Sequence, residues 1–98
     1  MKVRFRARAL ADIDRIRRYI HKRSPGGAGN VLRAIFEAID FIGENPDASQ
    51  KIDRRGGRMK VVTQYPYKVF YAVHSDYVEI LHVRHSMRRP WRVIVGSE

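Results

Sequence analysis

The stretch from Arg58 to Pro90 constrains this chain most. It alternates apolar and polar residues through three runs, about 58–64, 67–74 and 77–86, as a meander of β-strands does. Tyr65-Pro66 and Ser75-Asp76 punctuate the runs as turns. A short alternating segment from Lys2 to Arg6 reads as an edge strand. Between them, Leu10, Ile13, Ile16 and Ile20 recur at helical spacing and predict a helix over residues 9–21. Ser24-Pro25 opens a second helix, with a capping serine and a proline in the first turn. Leu32, Ile35, Phe36, Ile39 and Ile42 form its apolar stripe, and Gly43 and Asn45-Pro46 end it. Few residues separate the helices, so they should pack as an antiparallel hairpin. The expected fold class is α+β, in the order β-α-α-β-β-β, with the hairpin packed on an antiparallel sheet. Residues 47–57 read as a polar loop, and 91–95 as a fifth short strand.

At 98 residues and 44% hydrophobic content, the chain can build one small core, so a single domain over 1–98 is expected. No run of 18 apolar residues is present to span a membrane, and the N-terminus lacks the apolar core of a secretory signal. The chain has no cysteine, so disulfides and thiol catalysis are excluded, and a reducing cytoplasm is the expected location. No group of side chains has metal-ligand spacing, so no metal or other cofactor is expected.

Charge narrows the partners. Lys and Arg total 20 against 10 Asp and Glu, a net charge of +10. A domain this basic meets polyanions: nucleic acid, ribosome, an anionic membrane or an acidic protein. Arginine far outnumbers lysine, which favours bidentate contacts to phosphate or carboxylate.

A two-residue turn at Ser75-Asp76 would set Val73 opposite Val78 and His74 opposite Tyr77. One sheet face then carries Tyr67, Val69, Tyr71, Val73, Val78 and Ile80. The other carries Phe70, Ala72, Leu81 and Val83, interspersed with Lys68, His74, Glu79 and His85. Two helices cover only one face, so the second is expected to meet a protein partner.

Several positions in order carry a family resemblance: Ala9, Asp12, Ile13, Ile16, Tyr19 and Ile20, then Ser24-Pro25, Asn45-Pro46, Gly57-Arg58, Tyr65-Pro66-Tyr67, Val69-Phe70-Tyr71, and the run from Ile80 to His85 with Arg88-Arg89-Pro90. In these the chain resembles the RelE/ParE superfamily of toxins from type II toxin–antitoxin pairs, closest to ParE-type toxins. The resemblance implies one of two activities. ParE-type members bind DNA gyrase and block replication. RelE-type members are ribosome-dependent mRNA endonucleases. It also implies a cognate antitoxin, acidic and encoded nearby, that forms a hetero-oligomer with the toxin.

RNA cleavage by 2′-OH attack needs a base, an acid and cations on the phosphate. Here His85 would be base or acid, with Arg58, Lys60 and Arg88 on the phosphate. His82 and His85 lie on opposite strand faces and cannot act as a pair. RNase members of the fold commonly carry a C-terminal tyrosine; here Ser86-Met87 follows His85, and Trp91 cannot transfer a proton. That favours the gyrase reading, in which the chain is not an enzyme. The third reading is a non-toxic basic module for nucleic acid. Target- or partner-binding candidates are Arg58, Lys60, Arg84, Arg88, Arg89, Trp91, Arg15 and Arg18. For the arginines of the first helix, the competing reading is a solvated face.

Overall fold

The computed structural model describes residues 1–54 and 56–86. The elements run β1 (Lys2–Phe5), α1 (Ala7–Arg23), α2 (Pro25–Glu44), β2 (Gln50–Lys51), β3 (Gly57–Val61), β4 (Tyr67–Val73) and β5 (Tyr77–His85). The strands form one sheet in the order β1-β5-β4-β3-β2. The α+β class and the helical hairpin on a sheet are as the sequence implied. Arg88, Arg89, Trp91 and the expected strand at 91–95 lie outside the described residues.

Two details of the sheet differ from the expectation. First, β1 runs parallel to β5, pairing Val3 with Val78 and Phe5 with Ile80. The whole helical hairpin and the meander separate these strands in sequence, so no tight turn fixes their relative direction. Second, the polar loop after α2 contains β2, which pairs with β3 through Gln50–Met59 and Lys51–Arg58. Two residues are too few to show alternation.

Local chemistry explains the hairpin. Ser24 ends α1 and caps α2, its Oγ accepting from the Gly27 amide at 3.1 Å, with Pro25 in the first turn. On α1 the buried residues are Ala9, Asp12 and Ile13, with Ile16 and Ile20 packed against the core. Leu10, expected in that stripe, is 53% exposed. It lies a further 100° round the helix from Ala9, beyond the arc that meets α2 and β5. On α2, Ile35, Ile39 and Ile42 are buried, while Phe36 stays largely exposed and touches Phe5 at its edge.

The core lies between the hairpin and one sheet face, where Ile35 and Ile42 meet Val69, Tyr71, Val78 and Ile80. The Ser75-Asp76 turn does set Val73 opposite Val78, and the His74 amide donates to the Tyr77 carbonyl at 2.8 Å. Further along, the register shifts: Tyr71 pairs with Ile80, yet Phe70 pairs with His82. Leu81 is thus an extra residue in β5, a β-bulge. It reverses the facing of everything after it. Val83, expected on the outer face, sits opposite Val69 in the core at 3% exposure. His85, also expected outside, comes round to the helix side opposite Tyr67. The outer face keeps Met59, Phe70 and Ala72, all half-buried, with Val61 exposed.

Candidate functional site

The bulge builds a cleft. β1 ends at Phe5, so among the described residues β5 continues past it with no strand on that side. Helix α1 crosses beside this edge. Its buried Asp12 reaches β5 there, Oδ2 accepting from the Val83 amide at 3.0 Å. The other oxygen of Asp12 accepts from Arg15 Nη1 at 3.1 Å. Between α1 and the ends of β4 and β5 lies a cleft of about 390 Å³. Arg8, Asp12, Arg15, Ile16 and Tyr19 line it from α1, and Tyr67, Val83, Arg84 and His85 from the sheet.

The cleft gathers His85, Arg84 and Arg15 from the sequence-level candidates. It does not gather Arg58 or Lys60. Arg58 sits opposite Tyr71, whereas His85 sits opposite Tyr67. Four residues of β4 separate those two positions, about 13 Å along the strand. Arg58 is also committed elsewhere. Its Nη1 donates to the carbonyls of Ser49 at 2.7 Å and Asp47 at 3.2 Å, and its side chain is 12% exposed. Lys60 Nζ lies over the Phe41 ring at 4.5 Å. Arg18 pairs with Asp14 on the open side of α1. Residues the sequence did not single out are Arg8, Tyr67 as a wall of the cleft, and Asp12 as its brace. Asp12 was readable only as a family pattern position. A carboxylate on the apolar arc of a helix is the one signal that marks it, since such a group is seldom buried without a partner.

Among the described residues no group of side chains could hold a metal ion, and no helix is long and apolar enough to cross a membrane.

Comparison with known proteins gives the family. Residues 3–90 match the model of the ParE toxin of type II toxin–antitoxin systems. The chain belongs to the ParE toxin family. A putative toxin of Sinorhizobium fredii, Y4kP, is 34% identical over 85 residues, covering 87% of this chain and 88% of that one. The toxin RelE2 of Caulobacter vibrioides is 33% identical over 81 residues, covering 83% and 90%. Among solved structures, a chain of the chromosomal ParDE system from P. aeruginosa superposes with a TM-score of 0.76 at 20% identity, over 87% of this chain and 95% of that one. The isolated E. coli RelE toxin gives 0.68 at 14%, over 98% and 95%. The likeness to both structures is one of fold. This ParE-family toxin is therefore one half of a toxin–antitoxin pair, with an antitoxin as its partner.

The toxin's cleft leaves its mark on a neighbouring histidine. His82 stacks on Phe70 with centroids 4.6 Å apart and is 7% exposed. Burial first, then the Arg8 charge, pushes its pKa below the usual 6.5, with Arg84 and Arg6 adding to the push and Asp12 opposing it. A depressed imidazole pKa means that the unfolded chain takes up the proton first as pH falls. The stability from neutral His82 is fully present above 6.5 and drains away below it, towards the folded-state value. The unfolding midpoint should therefore begin to fall as pH drops below 6.5. Glu79 and Asp14, whose pKa values are lowered by hydrogen bonds from Arg6 and Arg17, add their losses only below 4.5 and 3.8. Melting curves across this range should lose the upper step in His82→Gln. An unchanged upper step in that variant would assign it to another group.

Proposed function

We propose that this toxin arrests growth by binding DNA gyrase rather than by cutting RNA, and that a cognate acidic antitoxin silences it. The observation that carries this reading is the separation of Arg58 from His85. Of His85, Arg58 and Arg88, only His85 lines the cleft among the described residues. Arg58 spends its donors on loop carbonyls about 13 Å of strand away. The cations that do lie beside His85 are Arg8, Arg15 and Arg84, and none of them is in the set the sequence assigns to the phosphate. A basic cleft edged by exposed arginines suits binding an anionic surface instead.

The second reading, an mRNA endonuclease working on the ribosome, keeps one observation in its favour. His85 and Tyr67 meet edge to face, 5.1 Å between centroids, in a cleft lined by Arg8, Arg15 and Arg84. Pulse-labelling of DNA and protein synthesis after induced expression separates the two. Early arrest of DNA synthesis with translation intact is expected, together with inhibition of supercoiling by the purified protein. Early arrest of translation, with mRNA cut on stalled ribosomes and activity lost in His85→Ala, would overturn the gyrase reading.

A further inference from the structure

We infer that the outer face of the sheet along β1 and β5 is a contact for the phosphate backbone of duplex DNA, with Lys2, Arg4, Arg6, Arg84 and Lys68 as its cations. The inference goes beyond the gyrase reading and stands without it, because it rests on the charge and register of these strands alone.

The first strand sets the row. Residues 2–6 alternate strictly, Lys-Val-Arg-Phe-Arg. Val3 and Phe5 pack against the core, so Lys2, Arg4 and Arg6 turn to the other face, and all three are exposed. Successive members stand about 6.6 Å apart. That spacing is close to the one between neighbouring phosphates on a nucleic-acid strand. On β5, Val83 and His85 face the helices, so Arg84 between them turns outward, opposite Lys68 of β4. Lys2 is level with Tyr77, and Arg84 lies seven residues further along β5. The band of cations is therefore about 23 Å long.

One acid stands against this band. On β1 and β5 the outer face carries a single carboxylate, Glu79, level with Arg4. Lys68 and Arg84 oppose each other across strands, like charges whose placement costs the isolated sheet. Two of the arginines are held ready. Arg6 gives its Nε to Glu79 Oε2 at 3.1 Å, and its side chain stays 55% exposed, so its Nη donors can meet a phosphate. Arg4 lies over the Tyr77 ring, 4.7 Å from the centroid. Holding both in advance lowers the ordering cost of the contact.

The rings decide between duplex and single strand. Single strands bind through bases stacked on open aromatic faces. On this face the described rings are already engaged. His74 stacks on Tyr77 at 4.4 Å, where Arg4 also lies, and His82 stacks on Phe70 at 4.6 Å. These rings serve the fold, and what the face offers is charge. A duplex keeps its bases inside and presents phosphates to such a surface. The outward positions of β1 are all cations, so the row offers nothing to an apolar peptide segment or to the interior of a membrane.

The test uses the full chain without its antitoxin and a fluorescent DNA duplex of two helical turns, read by anisotropy across a salt series. The logarithm of the binding constant should fall against that of the salt concentration with a slope of about −4.5, as five phosphate contacts require. Arg4→Gln with Arg6→Gln should make the slope shallower by about 2. Arg17→Gln with Arg33→Gln removes the same charge from exposed positions on the helices and should leave the slope as it is. Arg4→Lys with Arg6→Lys keeps both charges and should keep the slope. Lys2→Gln with Arg4→Gln spares the Arg6–Glu79 pair and serves if its loss lowers the melting point. An unchanged slope in Arg4→Gln with Arg6→Gln would overturn the inference and leave the row as a guard against edge pairing of β1. Equal shallowing in the helix variant, no binding by the wild type, or tighter binding of single-stranded DNA or duplex RNA would overturn it too.

Discussion

Asp12→Ala should lower the stability of the fold by about 3 kcal/mol, the largest single-residue effect expected outside the hydrophobic core. Asp12 is 4% exposed, and its Oδ2 is the acceptor for the Val83 amide, itself on a residue 3% exposed. Alanine removes a charge-assisted hydrogen bond and leaves a buried N–H with nothing to replace it. The Arg15 pair contributes far less, because Arg15 is mostly in water. Asp12→Asn separates the two contributions. It keeps an oxygen for the Val83 amide but gives up the ion pair and the charge that strengthens the amide bond, so it should lose less than Asp12→Ala does. For a domain of this size about 3 kcal/mol lowers the melting midpoint by roughly 12–20 °C. A midpoint within a few degrees of wild type in Asp12→Ala would mean that β5 past the bulge holds itself in place without α1.

This brace shows where the sequence stopped being legible. Helix and strand existence followed from periodicity, and the hairpin from Ser24-Pro25, because these signals are local. The Val73–Val78 pairing followed from the turn between them. The facing of Val83 and His85 did not, because it depends on Leu81 being an extra residue in β5. Nothing in Ile80-Leu81-His82-Val83 departs from a plain strand pattern. Two residues past the bulge, Val83 meets Asp12, a contact 71 residues away in sequence that no local pattern shows. One extra residue exchanges the two faces, so a correct turn still gave a wrong assignment three residues past the last correct pair. The candidate site suffered likewise. His85, Arg84 and Arg15 were singled out separately, but the cleft that unites them needs the bulge, the early end of β1 and the crossing of α1 together. Arg58 shows another limit. The sequence offers it as a candidate contact, and only the path of the preceding loop reveals its carbonyl partners.

Arg58→Ala should destabilise the fold by about 2 kcal/mol, and it should do so through the loop after α2. Arg58 on β3 and Tyr71 on β4 face the same side of the sheet as neighbours in register. Their tips converge on one segment. The Tyr71 hydroxyl donates to the Pro46 carbonyl at 3.0 Å, and Arg58 donates to the carbonyls of Asp47 and Ser49. Those carbonyls lead directly into β2, so the two side chains set the course of residues 46–51. The ion pair of Arg58 with Asp47 adds little, because the aspartate is 83% exposed and the separation is 3.4 Å. The bonds to carbonyls carry the effect, and they need a fork with two donors on one nitrogen. Arg58→Lys offers a single ammonium and should recover at most half of the loss. Hydrogen exchange then locates the damage: the amide of Ile52, which donates to the Gly57 carbonyl at 2.9 Å, should lose protection in Arg58→Ala while the amides of β4 and β5 keep theirs. A clamp for phosphate predicts the reverse pattern, with wild-type melting and exchange and a selective loss of toxicity. If Arg58→Ala melts with the wild type yet no longer arrests growth, Arg58 belongs to the functional surface, and the endonuclease reading regains the cation whose absence from the cleft counted against it.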